Sequence, residues 1–146
     1  MKTKIILSLL ISIFVISCNQ EKSKPIEGTW NLVYAQSIQN DTLRLKFPDD
    51  FKGSQMKIWC KKNWAFVGKY MNDTTSHDNY GGGTYTIDGT HYQETIVYHA
   101  APSTIGSAPK MLIEIKGDSL IQVWPVDESW HVDMKNYWVE KYIRVK

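Results

Sequence analysis

The sequence predicts an all-β fold, a single antiparallel up-and-down β-barrel of about eight strands. Three observations predict it. Short runs of alternating apolar and polar residues recur along most of the chain. Tight turn pairs join several of them, and no convincing amphipathic helix interrupts them. Local connections between short strands favour a meander closed into a barrel, with a two-sheet sandwich as the alternative architecture.

The amino-terminal residues stand apart from that pattern. Lys2 and Lys4 precede an apolar run from Ile5 to Ile16, shorter than the roughly 20 residues an ordinary membrane-spanning helix needs. The run ends in Val15-Ile16-Ser17-Cys18, which resembles a bacterial lipobox. That resemblance implies a signal peptide over residues 1–17, cleavage before Cys18, and attachment of acyl chains such as palmitate at Cys18. More than one chain makes anchoring stable, since each buried CH₂ contributes about 0.8 kcal/mol. Residues 18–25 then form an acylated cysteine and polar tether, and residues 26–146 the domain. Asn19 stands where some bacteria place an inner-membrane retention aspartate, which points to the outer membrane of the cell envelope.

The whole chain carries 17 Lys and Arg against 15 Asp and Glu. Loss of residues 1–17 removes Lys2 and Lys4 and leaves 15 of each, so the remaining chain is near neutral. Arg44 and Arg144 are its arginines, and no basic cluster reaches the density of a nucleic-acid footprint. No nucleic-acid partner is expected. With Cys18 acylated, Cys60 has no partner for an internal disulfide. Its place in the alternation Met56, Ile58, Cys60 predicts a buried thiol.

Trp30, Leu32 and Tyr34 alternate with Thr29, Asn31 and Val33 and predict a first strand near residues 28–37. Residues 40–54 are less regular, with Pro48-Asp49-Asp50 as a turn. Strands follow at 55–60 and 64–71, joined by Lys61-Lys62-Asn63. The polar stretch 72–83 ends in three glycines and predicts a mobile loop. Strands at 84–87 and 91–99 flank Asp88-Gly89, a favoured two-residue turn. One face of that hairpin carries Tyr85, Ile87, Tyr92, Glu94, Ile96 and Tyr98, and is the expected interior. After a loop at 100–109, Met111, Ile113 and Ile115 alternate inward along 110–116. Gly117-Asp118 turns the chain into 120–126, residues 125–135 are irregular, and 137–145 closes the chain.

Gly28-Thr29-Trp30 at the start and Arg144 near the end resemble the lipocalin and wider calycin pattern. The chain is more closely similar to small lipocalin-like lipoproteins of bacteria. The residues that carry this are Gly28-Thr29-Trp30-Asn31-Leu32-Val33, Gly81-Gly82-Gly83-Thr84-Tyr85-Thr86, Tyr92-Gln93-Glu94-Thr95-Ile96, Lys116-Gly117-Asp118-Ser119-Leu120 and Tyr142-Ile143-Arg144-Val145. The resemblance implies that Trp30 lies across the closed barrel end and packs against Arg144. A guanidinium over an indole contributes about 0.5–2 kcal/mol.

A barrel of about eight strands has room for side chains or one small ligand. Tyr85, Tyr92, Glu94, Tyr98 and Tyr142 are the expected lining of a cavity, because tyrosine offers an apolar body and a hydroxyl. Glu140 shares parity with Arg144, so an inward Arg144 places Glu140 inside and leaves Val139, Ile143 and Val145 outside, against the apolar pattern. His91 and His99 lie about 26 Å apart along one strand, and no metal or other cofactor is expected. No nucleophile–base motif or nucleotide-cradling glycine pattern occurs, so no enzyme is expected. Asp41-Thr42-Leu43, Asp73-Thr74-Thr75 and Asp118-Ser119-Leu120 resemble a short bacterial O-glycosylation motif.

The expected function is a monomeric, membrane-anchored protein that binds or carries a small hydrophobic or amphipathic ligand. The alternative is a cell-envelope interaction module with a filled barrel and contacts on the loops at 72–83, 100–109 and 125–135.

Overall fold

A computed structural model describes residues 24–72 and 74–146. The expected signal peptide, Cys18 and the expected tether up to residue 23 lie outside the described residues. Nine strands follow in order: β1 (Gly28–Gln39), β2 (Thr42–Phe47), β3 (Lys52–Cys60), β4 (Asn63–Asn72), β5 (Thr75–Asp88), β6 (His91–His99), β7 (Lys110–Lys116), β8 (Ser119–Trp124) and β9 (Asn136–Arg144). Sequential neighbours from β3 to β9 pair antiparallel, and β1 pairs with both β3 and β9, so the sheet closes. This is an eight-stranded up-and-down barrel with β2 added. Gly28–Asn31 of β1 pair with β3, and Ala35–Gln39 with β2.

Turn chemistry sets the hairpins. Asn40 and Asp41 both take positive φ, a conformation their short polar side chains tolerate and a two-residue hairpin between twisted strands requires. Gly117 does the same between β7 and β8. At the β5–β6 hairpin Asp88 pairs with His91, so the turn is Gly89-Thr90 rather than Asp88-Gly89. That slip shifts the pairing by two residues, so the side chains from Tyr92 to Ile96 keep their expected faces.

Two local expectations are overturned. Residues 75–83 are not a loop but the first part of β5, paired with β4 from Asn72↔Thr75 to Asn63↔Thr84. Regular backbone pairing overrides the polar composition there. Cys60 is exposed rather than buried. On β3 the inward residues are Gln55, Lys57 and Trp59, while Met56, Ile58 and Cys60 face outward. The reason is register: Trp59 lies opposite Trp64 across the β3–β4 hairpin, and both indoles are buried.

The closed end is built as its sequence implied. Trp30 lies directly opposite Arg144 in the β1–β9 register and is fully buried. The guanidinium carbon sits 4.1 Å from the indole centroid. Arg144 also donates to the carbonyls of Glu27 and Pro25, each at 2.6 Å, and Trp30 Nε1 donates to Ile26 at 2.9 Å. Gly28 has φ +126, and a Cβ there would lie 2.7 Å from the Arg144 guanidinium. The glycine therefore serves both the backbone turn and the close approach of arginine. Lys24 reaches over the Tyr85 ring, 5.2 Å from its centroid. Lys24 and Pro25 are thus fastened to the closed end. Asp118, between β7 and β8, meets Lys146 at 3.0 Å and Arg144 at 3.8 Å, so its carboxylate belongs to the closure.

Candidate functional site

Above the closed end the barrel holds a cavity of about 700 Å³. Its lining is largely apolar, with Leu32, Phe51, Phe66, Ile96, Met111 and Trp138 among it. Exposed Asp50, Met71 and His77 mark its mouth, at the end opposite Trp30. Trp124 and Trp138, paired across β8 and β9, stack with centroids 5.5 Å apart and planes 4° from parallel.

The floor is polar and continuous. Trp59 Nε1 donates to the Tyr92 hydroxyl at 2.8 Å, which donates to Glu94 at 2.9 Å. Lys57 Nζ lies 2.7 Å from the same carboxylate oxygen and donates to Gln122 at 3.2 Å. Gln122 Nε2 donates to Glu140 Oε2 at 3.3 Å, and the Tyr142 hydroxyl donates to that oxygen at 2.8 Å. Gln55 donates to Tyr142 at 3.0 Å and accepts from Tyr70 at 2.8 Å and Asn79 at 3.4 Å. Six strands contribute to one chain of hydrogen bonds, which fixes the orientation of each member.

Lys57 and Glu94 are 5% and 4% exposed, a buried ion pair. The rings of Trp59, Trp64 and Tyr92 lie 5.1, 5.2 and 6.0 Å from Lys57 Nζ and supply further cation–π stabilisation. Burial, reinforced by Glu94, pushes the Tyr92 hydroxyl well above its ordinary pKa. Burial, with Glu140 adding to it, does the same at Tyr142. Tyr70 is pushed up to about 12, chiefly by burial and secondarily by Glu140. These hydroxyls therefore remain protonated donors across the neutral range. The Glu140 carboxyl is also raised: burial is the main cause, the Glu94 charge adds to it, and Lys57 and the Tyr142 hydrogen bond oppose it.

The expected site residues separate. Glu94 and Tyr142 line the cavity. Tyr92 lies beneath it, buried and spent on Trp59 and Glu94. Tyr85 points inward but packs below the floor against Tyr92, with centroids 5.4 Å apart and no partner for its hydroxyl. Tyr98 is not in the cavity: it is 69% exposed on the outer face. A bulge causes this, because Gly82 pairs with Tyr98 and Gly83 with Ile96, so Val97 is extra and parity flips. His99 consequently reaches the cavity lining in place of Tyr98. Glu140 is inside, as the parity of Arg144 required, and Ile143 and Val145 are exposed.

Sequence reasoning missed Gln55, Lys57 and Gln122. A signal for the first two was available in the hairpin Trp59–Trp64. If Trp64 faces inward, its cross-strand partner Trp59 must too, and Lys57 and Gln55 follow at every second residue.

Among the described residues no three His, Cys, Asp or Glu side chains gather as metal ligands. The chain matches no protein family and no curated protein.

Proposed function

We propose that this chain is a lipocalin-like lipoprotein, anchored through Cys18 in the bacterial cell envelope, that binds a small hydrophobic or amphipathic molecule in its barrel. The observation that carries the reading is the cavity of about 700 Å³, apolar along its walls and polar at its floor. Ligand sites are commonly about 300–1,000 Å³ and combine those two surfaces. Such a site holds a molecule by burial of its apolar part and orients it by the polar end. It supplies no activated nucleophile, so the reading is binding or carriage by a monomer rather than catalysis.

The anchor fits the geometry. Lys24 and Pro25 are held at the closed end, and Lys24 lies six positions after Cys18. A tether of that length spans at most about 20 Å. Acylation at Cys18 therefore keeps the closed end near the bilayer, most simply that of the outer membrane, and leaves the mouth free. The test is native mass spectrometry of the protein purified from its own envelope. One defined small molecule per barrel, released by organic extraction, is expected. An extract that yields none, together with a bare Cys18, would overturn both parts.

A second reading, an envelope interaction module, draws support from the outside of the barrel. Ile143, Met56, Val67 and Tyr80 are all exposed. They lie in one row across β9, β3, β4 and β5, interrupted by Asn31 of β1. The contiguous part, Met56, Val67 and Tyr80, is the kind of exposed apolar surface that docks.

A further inference from the structure

The floor of the cavity is unbalanced in charge. Its ionisable groups are the buried pair Lys57 and Glu94 and the partly covered Glu140, one cation against two carboxyls. Lys57 is fully engaged, by Glu94 at 2.7 Å, by Gln122 at 3.2 Å and by three aromatic rings. Gln122 stands between Lys57 and Glu140 and bonds both. The hydrogen bonds to Glu140 come from neutral donors, Tyr142 and Gln122 on Oε2, and the Trp124 indole also lowers its pKa as a neutral donor. Among the described residues it has no Lys, Arg or His within ion-pair distance. It lies deep in the barrel but is only partly covered, and it lines the cavity. Beside it on the wall, two register positions towards the mouth, stands the stacked Trp124–Trp138 pair.

A carboxyl removed from water without a counter-cation is costly in its charged form. A cation delivered by a ligand removes that cost, and indole faces next to a carboxylate suit an ammonium group. A carboxylate or phosphate head meets the opposite situation. The sole floor cation is already bound, and two carboxyls repel the newcomer.

Resting on the ligand-binding reading above, we infer that the barrel selects amphipathic molecules with a cationic head, an amine or quaternary ammonium. The head sits against Glu140 beside Trp124 and Trp138, and the apolar part extends past Phe51 and Met71 to the mouth.

The test is calorimetric titration of the purified chain with three dodecyl compounds, each below its micelle concentration or solubility limit. They are dodecyltrimethylammonium, dodecanoate and neutral dodecanol. The cation is expected to bind about tenfold or more tightly than dodecanoate. Glu140→Gln keeps the shape and the hydrogen bonds from Tyr142 and Gln122, so the barrel should still bind dodecanol while the preference for the cation collapses. Equal or tighter binding of dodecanoate overturns the inference, as does an undiminished preference in E140Q. A folded chain that binds none of the three overturns the ligand-binding reading itself, whereas binding without charge preference leaves that reading standing and removes only this one.

Discussion

Lys57 and Glu94 sit 2.7 Å apart with their side chains almost wholly removed from water. Attraction in that environment is strong, but so is the cost of stripping both charges of hydration, and the pair is stable only because Tyr92, Gln122 and the surrounding rings complete it. Removing one partner strands the other. Lys57→Met should therefore destabilise the protein by about 3–5 kcal/mol in chemical denaturation. The double variant Lys57→Met with Glu94→Leu should recover most of that loss, because no buried charge remains. Equal losses in the single and double variants would mean that packing volume, not charge, sets the effect. Glu94 was legible as an inward polar residue between Tyr92 and Ile96. Lys57 was not, because a lysine flanked by Met56 and Ile58 looks like the solvent side of an amphipathic strand. Three apolar side chains on the outer face of β3 made the parity ambiguous, and only the cross-strand position of Trp59 decides it.

At the level of elements, the first and last strands are joined by more than their ladder. Arg144 stacks on Trp30 and holds the carbonyls of Pro25 and Glu27. Arg144→Ala removes a cation–π contact and two charge-assisted hydrogen bonds, so a loss of about 2–4 kcal/mol is expected. Hydrogen exchange should speed up at Ile26 and Glu27 while the floor residues on β6 and β8 keep their protection. An unchanged melting temperature would show that the ladder alone closes the barrel. This closure was readable from Gly28, Trp30 and Arg144 because a barrel's terminal strands are neighbours. The bulge on β6 was not, since nothing in Ile96-Val97-Tyr98 departs from alternation. The cause lies on the partner strand, where a Cβ at Gly83 would stand 1.9 Å from the Thr95 carbonyl oxygen. Side-chain patterns record which face is buried, but not where one strand gains a residue on its neighbour.

For the whole molecule, the decisive property is that eight strands enclose space they do not fill. The same inventory of aromatic residues is compatible with a packed interior, so volume was not legible in the sequence. It follows from where the side chains go. Tyr98 leaves for the outer face, Tyr85 drops below the floor, Tyr92 is spent within it, and the alanine at position 35 and glycines at 68 and 81 leave the walls thin. The most direct measurement is a fluorescence titration of the purified chain with the neutral probe N-phenyl-1-naphthylamine, repeated with Ala35→Trp and Val33→Trp. Ala35 is buried and lines the cavity, whereas Val33 lies exposed on the outer face of the same strand. One saturable site is expected in the wild type and in Val33→Trp, weakened at least about tenfold in Ala35→Trp, where an indole occupies the cavity. Undiminished binding in Ala35→Trp, with loss in Val33→Trp, would place the probe on the outer apolar surface and contradict a ligand-binding barrel.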